Sequence, residues 1–155
     1  MVRLSLSAKV LTALAGKRLA TAESLTGGGI GQAITSVSGA SAVFAGGIIS
    51  YTNEVKNKVL GVPVEILDTC GAVSAPVAKA MAQGARNVIG ADVAVAVTGL
   101  ADTEMENCCV GTVFIGYADE YGTQVREFHF QGDRETVREQ TVAAALELLL
   151  ELNSI

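Results

Sequence analysis

Ser24, Tyr51 and Lys56 are the side chains whose chemistry could be combined: a hydroxyl to attack, an amine to take its proton, and a phenol to relay it. Ser24 sits in Leu19-Ala20-Thr21-Ala22-Glu23-Ser24-Leu25-Thr26-Gly27-Gly28-Gly29, an apolar run that stops abruptly and gives way to three consecutive glycines. The pattern reads as strand, tight turn and helix, with Ser24 at the carboxyl end of the strand. That is where ligands bind in open α/β sheets, and the glycines there let a ligand approach backbone N–H groups closely. Tyr51 ends a second apolar run and Lys56 follows about one turn into the next helix, so both could face the crevice of Ser24. A lysine removed from water loses its proton more readily and can serve as a general base. Spacing alone favours a plainer picture: a serine that caps a turn, and a lysine solvated beside Lys58.

Other combinations are poorer. The one histidine, His129, lies between Phe128 and Phe130 on a strand-like segment, and no spacing supports a Ser-His-Asp triad built on it. Gly27-Gly28-Gly29-Ile30-Gly31 does not complete a dinucleotide fingerprint, because Gln32 and Ile34 stand where it would need glycine. Tyr51 and Lys56 are five residues apart, not the four of a short-chain dehydrogenase, so hydride transfer is not expected. Arg134 and Arg138 form the positive cluster near the start of the last helix; they suit either a phosphate or an ordinary pairing along a solvated helix. Cys70, Cys108 and Cys109 form no CxxC pair and read as free thiols, and no metal site is expected.

The elements that must position these groups follow from periodicity and turn chemistry. Residues 4–15 carry Leu4, Ala8, Leu11 and Ala15 on one helical face. Strand residues 18–22 precede a helix over 30–37, and the run 43–51 reads as a buried strand. Asn53 is placed to cap a helix over 54–61, with a short helical piece from Pro63 through Asp68. Ser74 caps a helix over 75–89 that turns Val77, Met81, Ala85 and Val88 inward. The Val/Ala alternation of 92–98 suits burial on both faces. Segments 110–118 and 123–131 form an antiparallel pair around the turn at 119–122. The last helix begins at Gly132-Asp133 and presents Val137, Thr141, Ala145, Leu148 and Leu152 to the core. Helices between strands, with no repeat or linker, predict an α/β fold: one domain over 1–155, a three-layer α/β/α sandwich around a mixed sheet.

Composition narrows the function classes. At 155 residues, with 50% hydrophobic and 5% aromatic residues and no Trp, the chain can bury a core of Val, Ile, Leu and Ala. A net charge of −5 and no Lys/Arg run argue against nucleic acid as a partner. No apolar run approaches the about 20 residues that span a bilayer, and Lys9 interrupts the only stretch resembling a leader, so a cytoplasmic protein is expected.

The ordered motifs resemble the CinA C-terminal domain family, which includes stand-alone nicotinamide-nucleotide amidases. They are Thr21-Ala22-Glu23-Ser24-Leu25-Thr26-Gly27-Gly28, Gly47-Ile48-Ile49-Ser50-Tyr51-Thr52-Asn53-Glu54-Val55-Lys56, Leu60-Gly61-Val62, Gly71-Ala72-Val73-Ser74, Val97-Thr98-Gly99, Val110-Gly111-Thr112-Val113 and Gly132-Asp133-Arg134. The resemblance implies an amidohydrolase that converts nicotinamide mononucleotide to nicotinic acid mononucleotide and ammonia, without metal or cofactor. It implies Ser24 as nucleophile, Lys56 as base and Tyr51 beside them. Thr26, Gly27, Gly28, Asn53, Thr98 and Gly99 would line the substrate site, with the phosphate near Arg134 or Arg138. It also implies a homo-oligomer. The chain departs from the family pattern after Gly99. There a Gly- and Pro-rich loop is usual, and this sequence runs Leu100 to Cys109 with Asp102, Glu104 and Glu106. It departs again at Cys70, where the family commonly has His. The alternative reading is a catalytically silent relative that binds a nucleotide or a protein partner.

Overall fold

Strand β1 (Leu19–Glu23) is buried along its whole length because strands flank it on both sides: β2 (Phe44–Ile49) and β3 (Val93–Gly99), each parallel to it. The computed structural model describes residues 5–104 and 108–154; Leu4 and Glu106, named above, lie outside them. Strands β4 (Thr112–Asp119) and β5 (Gly122–His129) complete a mixed sheet of order β2-β1-β3-β4-β5, antiparallel from β3 onward. Helices α1 (Leu6–Ala13), α2 (Gly29–Thr35), α3 (Asn53–Lys58), α4 (Val64–Cys70), α5 (Ala75–Ile89) and α6 (Arg134–Asn153) cover the sheet. This is the expected three-layer arrangement.

The alternation in β3 divides the core. Val93, Val95 and Val97 face one layer with residues of α1, α2 and α6, whereas Ala94 and Ala96 face α5. The small residues on the second face let α5 come very close. A Cβ at Gly116 would lie 2.3 Å from Ala78 O, and one at Gly84 would lie 2.0 Å from Leu60 O, so only glycine fits either position.

Several local expectations shift. β2 is an edge strand in which half-buried and exposed residues alternate; it is not buried throughout. Its two glycines conceal that alternation in the sequence, since they carry no side chain to place on either face. Thr52, not Asn53, caps α3, its hydroxyl accepting from Val55 N at 3.3 Å. Val88 is 57% exposed, and Ile89 packs against the core in its place before Gly90 ends α5. Ser74 caps α5 and Asp133 caps α6 as their sequences indicate.

The parallel pairing positions the site. Glu23 stands opposite Ile49 in the register of β1 and β2, so the residues that leave the two strands, Ser24 and Ser50, emerge side by side. Ser50 N donates to Glu23 O at 2.7 Å and fixes that junction.

Candidate active site

Ser24 is buried, 7% exposed, in the turn between β1 and α2. The turn is held from two sides. Glu23, 2% exposed, accepts from Thr26 Oγ1 at 2.6 Å, Ile30 N at 2.8 Å and Gly31 N at 3.0 Å. Its carboxylate thereby satisfies free N–H groups in the first turn of α2, where a negative charge is favoured. From the other side, Arg138 donates through Nε to Leu25 O at 2.9 Å and through Nη2 to Thr26 O at 3.3 Å. Gly28 enters α2 at φ +103°, a conformation that glycine adopts at low cost.

Lys56, on α3, reaches the same point and is 1% exposed. Its Nζ donates to Ser50 O at 2.8 Å and Tyr51 O at 3.2 Å, and lies 3.1 Å from Ser24 Oγ. Among the described residues no carboxylate pairs with it. Burial without a counter-charge disfavours the ammonium, and the Lys56 amine is pulled down from 10.5 to about 8. The valence count gives the geometry chemical meaning. A neutral amine has two N–H bonds and one lone pair. With both N–H groups on the carbonyls of residues 50 and 51, the lone pair faces the Ser24 hydroxyl, which can then donate to it.

A cavity of about 280 Å³ opens over this pair. Ser24, Lys56, Thr98, Gly99, Tyr51 and Arg134 contribute to its lining, with apolar wall from Leu25, Ala72, Val73, Leu100 and Ala101. Thr98 directs its hydroxyl to Ala72 O at 2.8 Å. Gly99 is needed for packing, since a Cβ there would lie 2.6 Å from Val113 Cγ2. Tyr51 is placed differently from a proton relay. Its side chain is 61% exposed, and its hydroxyl accepts from Arg134 Nη2 at 3.4 Å; it is the backbone carbonyl of Tyr51 that meets Lys56. Arg134 also donates through Nη1 to Asp102 Oδ1 at 2.9 Å.

The remaining candidates do not line this cavity. Thr26 turns its hydroxyl onto Glu23, Gly27 N bonds back to Ser24 O at 3.2 Å, and Gly28 shapes the turn. Asn53 is exposed in the first turn of α3, and Arg138 braces the turn. His129 lies apart, bonded to Glu127 and Thr112. The sequence reading missed Glu23 and the carbonyls of Ser50 and Tyr51, and it named Asp102 without its partner Arg134. Glu23 carried a usable signal, an acid at a strand end just ahead of a glycine-led helix; the carbonyls carried none, since any residue supplies one. Cys70, Cys108 and Cys109 are free thiols, and among the described residues no cluster could hold a metal ion.

With this geometry in view, the relatives can be placed. The model of the CinA C-terminal domain matches residues 4–153. This chain belongs to the CinA C-terminal domain family. It is 48% identical over 136 residues to a CinA-like protein of Geobacter sulfurreducens, covering 86% of this chain and 33% of that protein. It is 50% identical over 136 residues to one of Geotalea daltonii, with the same coverage of 86% and 33%. The chain thus spans about a third of the length of these curated relatives. Solved structures of the superfamily superpose closely. The competence/damage inducible protein CihA of Agrobacterium tumefaciens matches at a TM-score of 0.92 and 37% identity, over 99% of this chain and 100% of that one. A CinA superfamily protein of Escherichia coli matches at 0.92 and 33%, over 97% and 94%. The family includes nicotinamide-nucleotide amidases. No helix among the described residues is long and apolar enough to cross a membrane.

Proposed function

We propose that the chain is an amidohydrolase in which Ser24 and Lys56 act as nucleophile and general base on the carboxamide of a pyridine nucleotide, nicotinamide mononucleotide being the substrate of first choice. The observation that carries this reading is the Ser24 Oγ–Lys56 Nζ approach of 3.1 Å, with the amine buried, paired with no carboxylate among the described residues and facing a cavity. Neutral Lys56 takes the hydroxyl proton as Oγ attacks the amide carbon. The ammonium formed then gives that proton to the departing nitrogen, ammonia leaves, and the acyl group remains on Ser24. Water, deprotonated by the regenerated amine, attacks the ester; the carboxylic acid leaves and Ser24 is restored. The scheme calls on no metal or redox cofactor. In this reading Tyr51, whose hydroxyl accepts from Arg134, orients it at the cavity rim, and Arg134 meets the substrate phosphate.

The test is ammonia release from nicotinamide mononucleotide by the protein and by Ser24→Ala. Release that disappears in the variant supports the reading, and release that persists rejects Ser24. The second reading, a silent nucleotide binder, draws on the Asp102–Arg134 pair, which engages the cation a phosphate would need. It is favoured by an absence of ammonia together with a ligand-dependent rise in Tm. Assembly into a homo-oligomer and a cytoplasmic setting belong to the same proposal; light scattering of the purified chain tests the first.

A further inference from the structure

Among the described residues two basic side chains line the cavity, Lys56 and Arg134, and they differ in what they can offer a substrate. Lys56 is buried and directed at Ser24 and two carbonyls. Arg138 is engaged elsewhere, donating to Leu25 O and Thr26 O. Recognition of an anionic substrate group therefore falls to Arg134. That guanidinium is already partnered: Asp102 Oδ1 accepts from Nη1 at 2.9 Å, and the same oxygen accepts from Thr103 Oγ1 at 3.2 Å. The carboxylate is thus held in place from both sides, next to Ala101 and Thr103 of the cavity wall.

We propose that Asp102 is a specificity-determining residue which, by holding Arg134 in an internal ion pair at the cavity rim, suppresses the site's preference for a phosphorylated substrate over the same carboxamide without phosphate. The inference rests on the amidohydrolase reading for the identity of the ligand. A phosphate arriving at Arg134 meets a fixed negative charge at hydrogen-bonding distance from the same guanidinium. It must either displace the carboxylate or share the cation with it, and like charges so placed repel. Asp102 and Arg134 are each about half exposed, at 49% and 46%, so the exchange is sterically open and sensitive to salt. A ligand lacking phosphate has no stake in it.

Calorimetry on the Ser24→Ala protein, which cannot turn ligand over by this route, separates the terms. Nicotinamide mononucleotide and nicotinamide riboside share the carboxamide and differ in the phosphate. Adding Asp102→Asn is expected to tighten the mononucleotide about tenfold at low ionic strength, the size expected when one like charge is removed beside a bound anion. The riboside should change less than twofold. The gain should shrink in high salt and vanish when Arg134→Ala is added. Asp102→Ser, which removes the charge with a smaller side chain, should behave like Asn. Equal tightening of both ligands, or no change for the mononucleotide, overturns the role of Asp102 while leaving the amidohydrolase reading in place. Failure of both ligands to bind overturns this inference, whereas the amidohydrolase reading is judged separately by ammonia release.

Discussion

Lys56 Nζ lies 3.1 Å from Ser24 Oγ although the two residues are 32 apart in the chain. The contact exists because β1 and β2 run parallel with Glu23 opposite Ile49, so that the turn after one strand and the helix after the other meet. A short helix capped by Thr52 then brings Lys56 back under Ser24.

Activity should follow the ionisation of that amine. With Lys56 near 8, about a tenth of it is neutral at pH 7, so kcat/KM should rise roughly tenfold between pH 7 and 9 and then level. Lys56→Arg keeps a positive charge but cannot supply a neutral base, and should lose at least about a hundredfold. Steady-state rates of ammonia release across pH check both.

Stability should move with pH in the same window. The amine titrates at about 8 in the folded protein, below its ordinary 10.5. Between those values the unfolded chain holds a proton that the folded protein has released, so this group's contribution to stability rises with pH from 8 to 10.5. Lys56→Met removes the term. The stability difference, wild type minus Lys56→Met, measured by urea unfolding at several pH values, should climb across that window and be flat below it.

Glu23→Gln should weaken the turn that carries Ser24. The amide oxygen can replace only part of the carboxylate's bonds to Thr26, Ile30 and Gly31, and its NH2 group faces donors. A loss of roughly 2 kcal/mol, or about 4–8 °C in Tm, is expected. If the turn is what orients the hydroxyl, kcat should fall more than KM changes, which calorimetric unfolding and steady-state kinetics together resolve.

Gly84→Ala tests the packing behind the site. The new methyl would lie 2.0 Å from Leu60 O, against the segment that follows α3. Either α5 or the end of α3 must shift, costing roughly 2–4 kcal/mol. Denaturant unfolding measures the loss, and a lowered kcat in the folded variant would show that the shift reaches Lys56.

These relationships were legible in the sequence to different degrees. The strand–turn–helix around Ser24 follows from an apolar run cut short before three glycines, and the Val/Ala alternation of β3 announces a strand covered on both faces. Strand partners are another matter. A period of two marks a strand without saying which neighbour it takes, so nothing in the spacing of Ser24 and Lys56 revealed that parallel pairing would join them. The lysine's burial was equally hidden, because the segment after α3 folds back on it, with Val62 N bonded to Lys56 O and Leu60 and Val62 buried. Tyr51 shows the opposite failure. Its place at the end of an apolar run suggested a relay, but its ring is 61% exposed at the sheet edge and it is its carbonyl that meets Lys56. Asp102 stood out by its charge, and its partner could be named only once α6 had brought Arg134 to the same rim.

The central claim is that the Lys56 amine gives up its proton at about pH 8, well below an ordinary lysine. Heteronuclear NMR of the protein labelled at lysine Cε and Nζ, titrated from pH 6 to 11 and assigned with Lys56→Met, measures it directly. The account predicts one lysine titrating at about 8, with its signal moved in Ser24→Ala. A Lys56 that titrates near its ordinary 10.5 would contradict it.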